Sequence, residues 1–302
     1  MNQIEVTPMG EFNFESVAAH SRRVGAGRTI VTDGDSLARE IAKTRRWAGS
    51  GRLSVLIMRE FAQSEKSHIK MKSKDLAKRL IYTRASSATG VDLAVLKSAV
   101  WAGKSKFRVA MDPVELSTTA EDIARIRQEW DLNPSIYWFA VLGAITERKN
   151  VPLIAQALMT TDTNDVGLLV AGKIESSIKS AVYDSLTHLS KAGKSVKIVD
   201  ALLTDTDLDA AVSAADCLVL AHSNEGPSGL LGKAAAAGTR VVAAGAMSLR
   251  EDVEALGNSG QWAPLEVHPL SRTLNRARSI PRNSVTLNGT TSSFLEALLP
   301  DD

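Results

Sequence analysis

The sequence predicts an α/β protein of about two domains, the second Rossmann-like and the first thinner in visible strands. Three observations carry this expectation. The chain has 302 residues, about two domains at roughly 150 residues each. Its second half alternates short apolar runs with segments of helical spacing, the pattern of βαβ units on a parallel sheet. Its composition, 44% hydrophobic and 23% charged, is that of an ordinary folded protein and excludes disorder as the main state.

The second half justifies its elements in order. Residues 136–142 form a continuous apolar run, as in a strand buried on both faces. Residues 151–159 have helical spacing, and 166–171 are again apolar throughout. Ile174, Ile178, Val182, Leu186 and Leu189 recur at three- and four-residue steps, an amphipathic helix. A short strand at 196–199 precedes a helix at 207–215, with Thr204 or Asp205 available as cap. A strand at 217–221, a helix at 229–237 and a strand at 241–244 follow. Ser248 can cap a helix through Leu256 that stops at Gly257. Five strands so spaced predict one doubly wound domain.

The first half is thinner. Residues 28–32 read as a strand and 35–46 as a helix. Residues 53–58 form a second strand, followed by helices at 74–83 and 91–101. A third strand at 107–110 precedes the turn at Asp112-Pro113. A polar helix at 121–130 leads to Asn133-Pro134, a domain junction. Residues 1–27 show no period. The units expected are a reduced N-terminal lobe at 1–132, a Rossmann-like domain at 133–282, and a C-terminal tail with a short helix at 283–302.

Composition removes several function classes. The single cysteine, Cys217, excludes a disulfide framework and a cysteine zinc site. No apolar run reaches the roughly 18 residues of a spanning helix, and the first residues lack a signal-peptide profile. A cytoplasmic protein is expected. The first 130 residues carry 22 Lys/Arg against 15 Asp/Glu, and the remainder 14 against 19. This asymmetry is either solvated surface or a sign that the halves meet different partners.

Two segments stand where an open α/β sheet binds ligands, between the carboxyl end of a strand and the start of a helix. One is Ala221-His222-Ser223-Asn224-Glu225-Gly226-Pro227-Ser228-Gly229-Leu230-Leu231-Gly232-Lys233. Free N–H groups at a helix start attract phosphate, and Gly226 and Gly229 let backbone approach a ligand. Glu225 would accept from a sugar hydroxyl at the strand's end. The other is Gly143-Ala144-Ile145-Thr146-Glu147-Arg148-Lys149-Asn150, whose Arg148 and Lys149 could hold a diphosphate. Taken singly, each could also be an ordinary βα turn with solvated charges.

Together the segments resemble the donor-binding half of the retaining GT-B glycosyltransferases of family 4, over roughly residues 108–260. Gly143 and Lys149 match that family's glycine loop. Glu225, Gly226 and Gly229 match the first part of its Glu, seven residues, Glu motif. Met111-Asp112-Pro113-Val114 stand at the usual entry to the donor domain. The resemblance implies a GT-B-like fold of two Rossmann-like lobes, the N-terminal one reduced, and transfer of a sugar from a nucleotide-sugar donor with retention of configuration. It implies catalytic roles for Glu225 and Lys149, and donor binding by Gly143, Arg148, Gly226, Ser228, Gly229, Leu230 and Lys233. No metal and no cofactor beyond the donor is required. The alternative is a non-catalytic relative that binds nucleotide sugar or a partner chain.

Three departures qualify the resemblance. The family's loop arginine falls on Ala144, where Arg148 could substitute. Its second glutamate falls on Lys233, which offers donors and no acceptor and could pair with phosphate instead. The N-terminal half shows three strands where the family has about seven. A homo-oligomer or a partner chain completing this lobe is therefore expected. The six Lys/Arg between Lys66 and Arg79 form a solvated helix face, or bind a phosphorylated acceptor or a peripheral membrane surface. The five histidines show no metal-ligand spacing, and His222 is singled out only by its place beside Glu225. The tryptophans are dispersed, so no nucleic-acid platform is expected.

Overall fold

The computed structural model describes residues 13–60, 68–285, 287 and 289–300. Residues 1–12 and the first part of the basic Lys66–Arg79 stretch lie outside the described residues, as do residues 301–302 of the tail.

The first lobe runs α1 (Phe14–Val24), β1 (Arg28–Val31), α2 (Leu37–Thr44), β2 (Arg52–Ile57), α3 (His68–Ser86), β3 (Val91–Lys97) and β4 (Arg108–Met111). Its four strands pair in parallel in the order β1-β2-β3-β4. Two expectations are corrected here. Within residues 91–101, Val91–Lys97 is a strand and not a helix, because it lies between two parallel neighbours and is buried almost throughout. A fully buried run has no amphipathic period to distinguish helix from strand. Helix α1 lies where no period is visible. Asn13 and Ser16 form a capping box at its start, and Gly25 ends it with a φ of 63°, so its signals are in its caps.

The second lobe runs α4 (Ala120–Glu129), β5 (Tyr137–Leu142), α5 (Val151–Met159), β6 (Val166–Ala171), α6 (Lys179–Lys191), β7 (Ser195–Val199) and α7 (Asp205–Ala214). It continues with β8 (Cys217–His222), α8 (Gly229–Ala237), β9 (Arg240–Gly245), α9 (Met247–Ala255), β10 (Gly260–Ala263) and α10 (Val267–Ala277). Six parallel strands stand in the order β10-β9-β8-β5-β6-β7, one more than expected. The chain leaves β5 toward β6 on one side and returns to β8 on the other, so the β5/β8 pair is the switch point of the sheet. Cores on both faces consist of alternating strand residues: Trp138, Ala140 and Leu142 on one, Phe139 and Val141 on the other.

The tail does not stand apart. Helix α11 (Thr291–Leu298) returns to the first lobe and packs on β2, β3 and β4. Ala297 and Leu298 cover Leu56, Ala94, Leu96 and Ala110, while α1, α2 and α3 cover the opposite face. Ser54 donates its hydroxyl to the Leu298 carbonyl, and Arg28 reaches the Pro300 carbonyl at 3.1 Å. The face that the sequence leaves open is thus closed from within the chain. The segment leading to α11 also crosses the outgoing linker, where a Cβ on Gly289 would lie 2.7 Å from the Asp112 carbonyl oxygen.

Leu298→Ala should lower the stability of the first lobe by about 2–4 kcal/mol, the usual result of emptying a buried leucine site. Leu299→Ala, at a position 38% exposed, should cost under about 1 kcal/mol. Urea denaturation compares the two, and equal losses would show that α11 does not seal the sheet.

Candidate functional site

The switch point brings the two sequence-predicted segments together. Asn150 Nδ2 donates to the Ala221 carbonyl at 2.8 Å, and the Ser223 N–H donates to the Arg148 carbonyl at 3.1 Å. The loop after β5 is thereby fixed to the end of β8. Gly143 has a φ of 78°, and a Cβ there would lie 3.4 Å from Lys149 Nζ and 3.7 Å from Leu230 Cδ1. Gly143, Lys149 and Leu230 therefore lie side by side, and a side chain at Gly143 would fill the space between the other two.

Lys149 is 5% exposed, and its ammonium donates to the Leu142 carbonyl. No carboxylate pairs with it among the described residues. Burial, and then the charge of Arg148, push its pKa down to about 8. Arg148 is exposed. His222 is 6% exposed, and burial with the Arg148 and Lys149 charges pushes its imidazole down to about 3, so it stays neutral. A buried cation, an exposed cation and a neutral histidine leave a positive field at this edge.

Helix α8 begins beside them. Its first residue is Gly229, and the Ser228 hydroxyl makes no capping bond. The end of the helix dipole therefore faces the site uncapped by that side chain. The half-buried carboxylate of Asp112 stands there, its Oδ2 3.2 Å from where a Cβ of Gly229 would be. Burial raises its pKa, and Lys233 opposes the rise.

Glu225 is neither in solvent nor open on all sides. It is 5% exposed, and its two oxygens accept from the Met247 and Ser248 N–H groups, each at 2.9 Å. It caps α9 from outside that helix. The expected cap, Ser248, instead exchanges hydrogen bonds with the backbone of Gly226, both at 3.1 Å. The carboxylate is held in one orientation, with lone pairs left for a ligand.

Lys233 is directed elsewhere. Its ammonium pairs with Asp209, which is 1% exposed, and donates to the Glu115 carbonyl at 3.1 Å. Asp209 also accepts from the Ser117 N–H at 2.8 Å. The lysine ties α8 to α7 and to the linker between lobes, so the expectation that it pairs with phosphate meets a competing buried carboxylate.

Sequence reasoning missed the opposite wall. Arg59, Glu60, Lys97 and Trp101 of the first lobe face Glu225, Pro227 and Asp252 across a narrow cleft. Glu60 pairs with Lys97, whose ammonium lies 5.1 Å from the Trp101 ring centre. Burial raises Asp252 to about 6. Arg59 and Glu60 follow a strand predicted correctly, so the same sheet-edge rule would have found them.

Two parallel sheets facing each other across this cleft define the class: an α/β protein with the GT-B glycosyltransferase fold, its N-terminal lobe reduced. No protein-family model matches the chain, and no curated protein sequence matches it. Among solved structures, it is similar to Anabaena Alr3699/HepE in complex with UDP, with a TM-score of 0.60 and 16% identity over 88% of this chain and 72% of that one. It is also similar to the sucrose-phosphate synthase of Thermosynechococcus elongatus, with a TM-score of 0.59 and 16% identity over 88% of this chain and 68% of that one. A third is WaaG, a glycosyltransferase involved in lipopolysaccharide biosynthesis, with a TM-score of 0.51 and 14% identity over 87% and 85%. At these identities the likeness is one of fold.

Lys233→Glu sets a second carboxylate against buried Asp209 and should cost about 3–5 kcal/mol, the scale of breaking a buried pair. Adding Asp209→Asn supplies an amide donor and should recover part of the loss. Thermal denaturation of the single and double variants measures this, and an unchanged melting temperature in Lys233→Glu would remove the pair from the fold's stability.

Proposed function

We propose that this chain transfers a sugar from a nucleotide-sugar donor to an acceptor, with retention of configuration. One observation carries the reading: a buried ammonium without a carboxylate partner among the described residues lies beside Gly143 and Arg148, at the edge where α8 begins. Burying a charge unpaired is expensive, and a diphosphate is the ligand chemistry that would neutralise it. Alr3699/HepE has been crystallised with UDP and with UDP and glucose, and the fold is shared.

In this scheme Lys149, Arg148 and the N–H groups opening α8 at Ser228, Gly229 and Leu230 hold the diphosphate. As the bond from the sugar's anomeric carbon to the diphosphate breaks, charge grows on phosphate oxygen and these groups stabilise it. Glu225, fixed by the two α9 amides, accepts from a sugar hydroxyl and orients the ring, while Gly226 gives the ring room. The acceptor hydroxyl attacks the face that the diphosphate leaves, and its proton departs with the diphosphate. Positive charge comes from side chains and backbone, so the scheme asks for no metal or other cofactor. Ala144 and Lys233, with Lys233 engaged by Asp209, favour a second reading in which the chain binds nucleotide sugar without turning it over. Donor hydrolysis and transfer assays on UDP-, GDP- and ADP-sugars that bind separate the two.

Lys149→Ala should weaken UDP binding by about 1.5–3 kcal/mol, the range of a hydrogen bond to a charged group. The ammonium is charged below its pKa, so affinity in the unaltered protein should fall as pH rises through about 8. Bound phosphate favours the charged form, so the fall begins at the free protein's pKa and levels off only above the raised pKa of the complex. Calorimetry at pH 6.5 and 9.5 reads both effects. Equal affinity in Lys149→Ala at pH 6.5 would remove this residue from the site.

A further inference from the structure

Two features at the first turn of α8 stand together without satisfying each other. The Gly229 and Leu230 N–H groups donate to no acceptor among the described residues, as expected of the first positions of a helix whose Ser228 hydroxyl makes no capping bond. The half-buried Asp112 carboxylate has no hydrogen bond and no ion pair among the described residues either. Its Oδ2 nevertheless lies 3.2 Å from where a Cβ of Gly229 would be. A half-buried carboxylate left without a donor costs stability, and the linker holds it there all the same. The Asp112 N–H donates to the Lys97 carbonyl at 2.8 Å, Pro113 follows with its locked φ, and Gly289 closes on the Asp112 carbonyl oxygen from the returning segment.

The charged groups on the neighbouring elements do not cancel this carboxylate. Lys233 of α8 acts on it, but that ammonium is already paired with buried Asp209. Lys97, at the end of β3, pairs with Glu60. Glu115, further along the linker, accepts from the Thr291 hydroxyl at 3.1 Å. Lys149, with Arg148 before it, belongs to the loop beside Leu230. One negative charge therefore stands at a sheet edge whose other groups favour anions.

We propose that Asp112 sets the preference of the site between the intact nucleotide-sugar donor and the nucleoside diphosphate left after transfer. The inference rests on the nucleotide-sugar reading and adds the residue that decides which of the two forms is held. A diphosphate esterified at both ends carries two negative charges. Once the bond to the sugar's anomeric carbon has broken, the terminal phosphate gives up the acceptor's proton to solvent above about pH 6 and carries one charge more. The start of α8 attracts that phosphate, and Asp112 repels the added charge at the same place. Affinity for the free diphosphate is thereby lowered more than affinity for its sugar ester, so the product leaves and fresh donor takes its place. The same repulsion opposes charge growing on the leaving phosphate, so Asp112 favours release at some loss to the chemical step.

The test compares the full chain with Asp112→Asn, and with Asp112→Ser should the amide disturb the fold. Calorimetry measures UDP and UDP-glucose, and the GDP and ADP pairs alongside, at pH 7.5 and pH 5. At pH 7.5 the variants should bind UDP about five- to tenfold more tightly, the scale of one added charge at a half-buried site, with UDP-glucose changed by less than about twofold. At pH 5 the difference should shrink, because the terminal phosphate regains its proton and Asp112, whose pKa burial raises, begins to take one up. Lys149 titrates at about 8 in both proteins and cancels from the comparison, while His222, at about 3, stays neutral throughout. Equal gains for the two ligands, no gain for UDP, or a lower melting temperature without any separation of the ligands would overturn the proposal. So would UDP affinity that rises with magnesium in the unaltered protein and not in Asp112→Asn, which would assign the carboxylate to a bridging cation. Failure of every nucleoside diphosphate to bind either protein would instead count against the nucleotide-sugar reading itself, so the two failures are distinguishable.

Discussion

An ammonium buried at the carboxyl end of β5, with a carbonyl as its partner, is the constraint on which the rest of the site depends. Lys149 reaches the Leu142 carbonyl because the short turn at Glu147–Lys149 folds back over the strand it has just left. That turn ends at Asn150 in a left-handed conformation, φ 50°, and the Asn150 side chain then bonds to β8. One loop thus sets the register between two strands and buries a charge between them. The cost is visible in the depressed pKa. An apolar side chain at this place would avoid it, so the lysine is kept here at a cost to the fold's stability.

The same economy governs Glu225. A carboxylate at a helix N-terminus is stabilised by the dipole and by free N–H groups. Glu225 supplies this to α9 from the preceding βα loop, while Ser248 grips Gly226 in return. The loop opening α8 and the helix α9 are therefore one mechanical unit. Gly226, with its φ of 134°, turns the backbone toward the first lobe, where a Cβ would stand 3.7 Å from Arg59 Cγ. Lys233 and Asp209 add a second tie through Ser117 and Glu115 in the linker. In a sequence where a second glutamate is the expected residue, the lysine has a structural partner of its own.

What could be read from the sequence follows a physical division. The β5, β6 and β8 strands were legible because continuous apolar runs bounded by glycine and helical segments have few other readings. The two βα loops were legible as loops because position at a strand's carboxyl end is a strong restriction, and Gly143, Lys149 and Leu230 lie close together. Val91–Lys97 was misread because burial on both faces erases the period. Strand β10 is only four residues, Gly260–Ala263, too short to show alternation. Helix α10 carried its signal in Leu270, Leu274 and Ala277, spacing that was open to view. The partners of Glu225 and Lys233 were not legible, since Met247, Ser248 and Asp209 meet them only through the tertiary fold.

The reduced first lobe poses a problem of coverage that the fold solves locally. Four parallel strands have two faces to bury, and parallel sheets are stable only when both are covered. Three helices cover one face. The other would be left bare by the shortened chain, and α11 returns across the linker to close it. This crossing has a second effect. With Gly289 set against Asp112, the outgoing and returning segments lie in contact at the base of the cleft. Asp112 is thereby held where its carboxylate faces the start of α8. The closure that stabilises the small lobe also places an acidic side chain beside the anion-attracting end of the helix. Asp112 thus links the seating of the C-terminal helix to the loop that opens α8, through one residue of the linker.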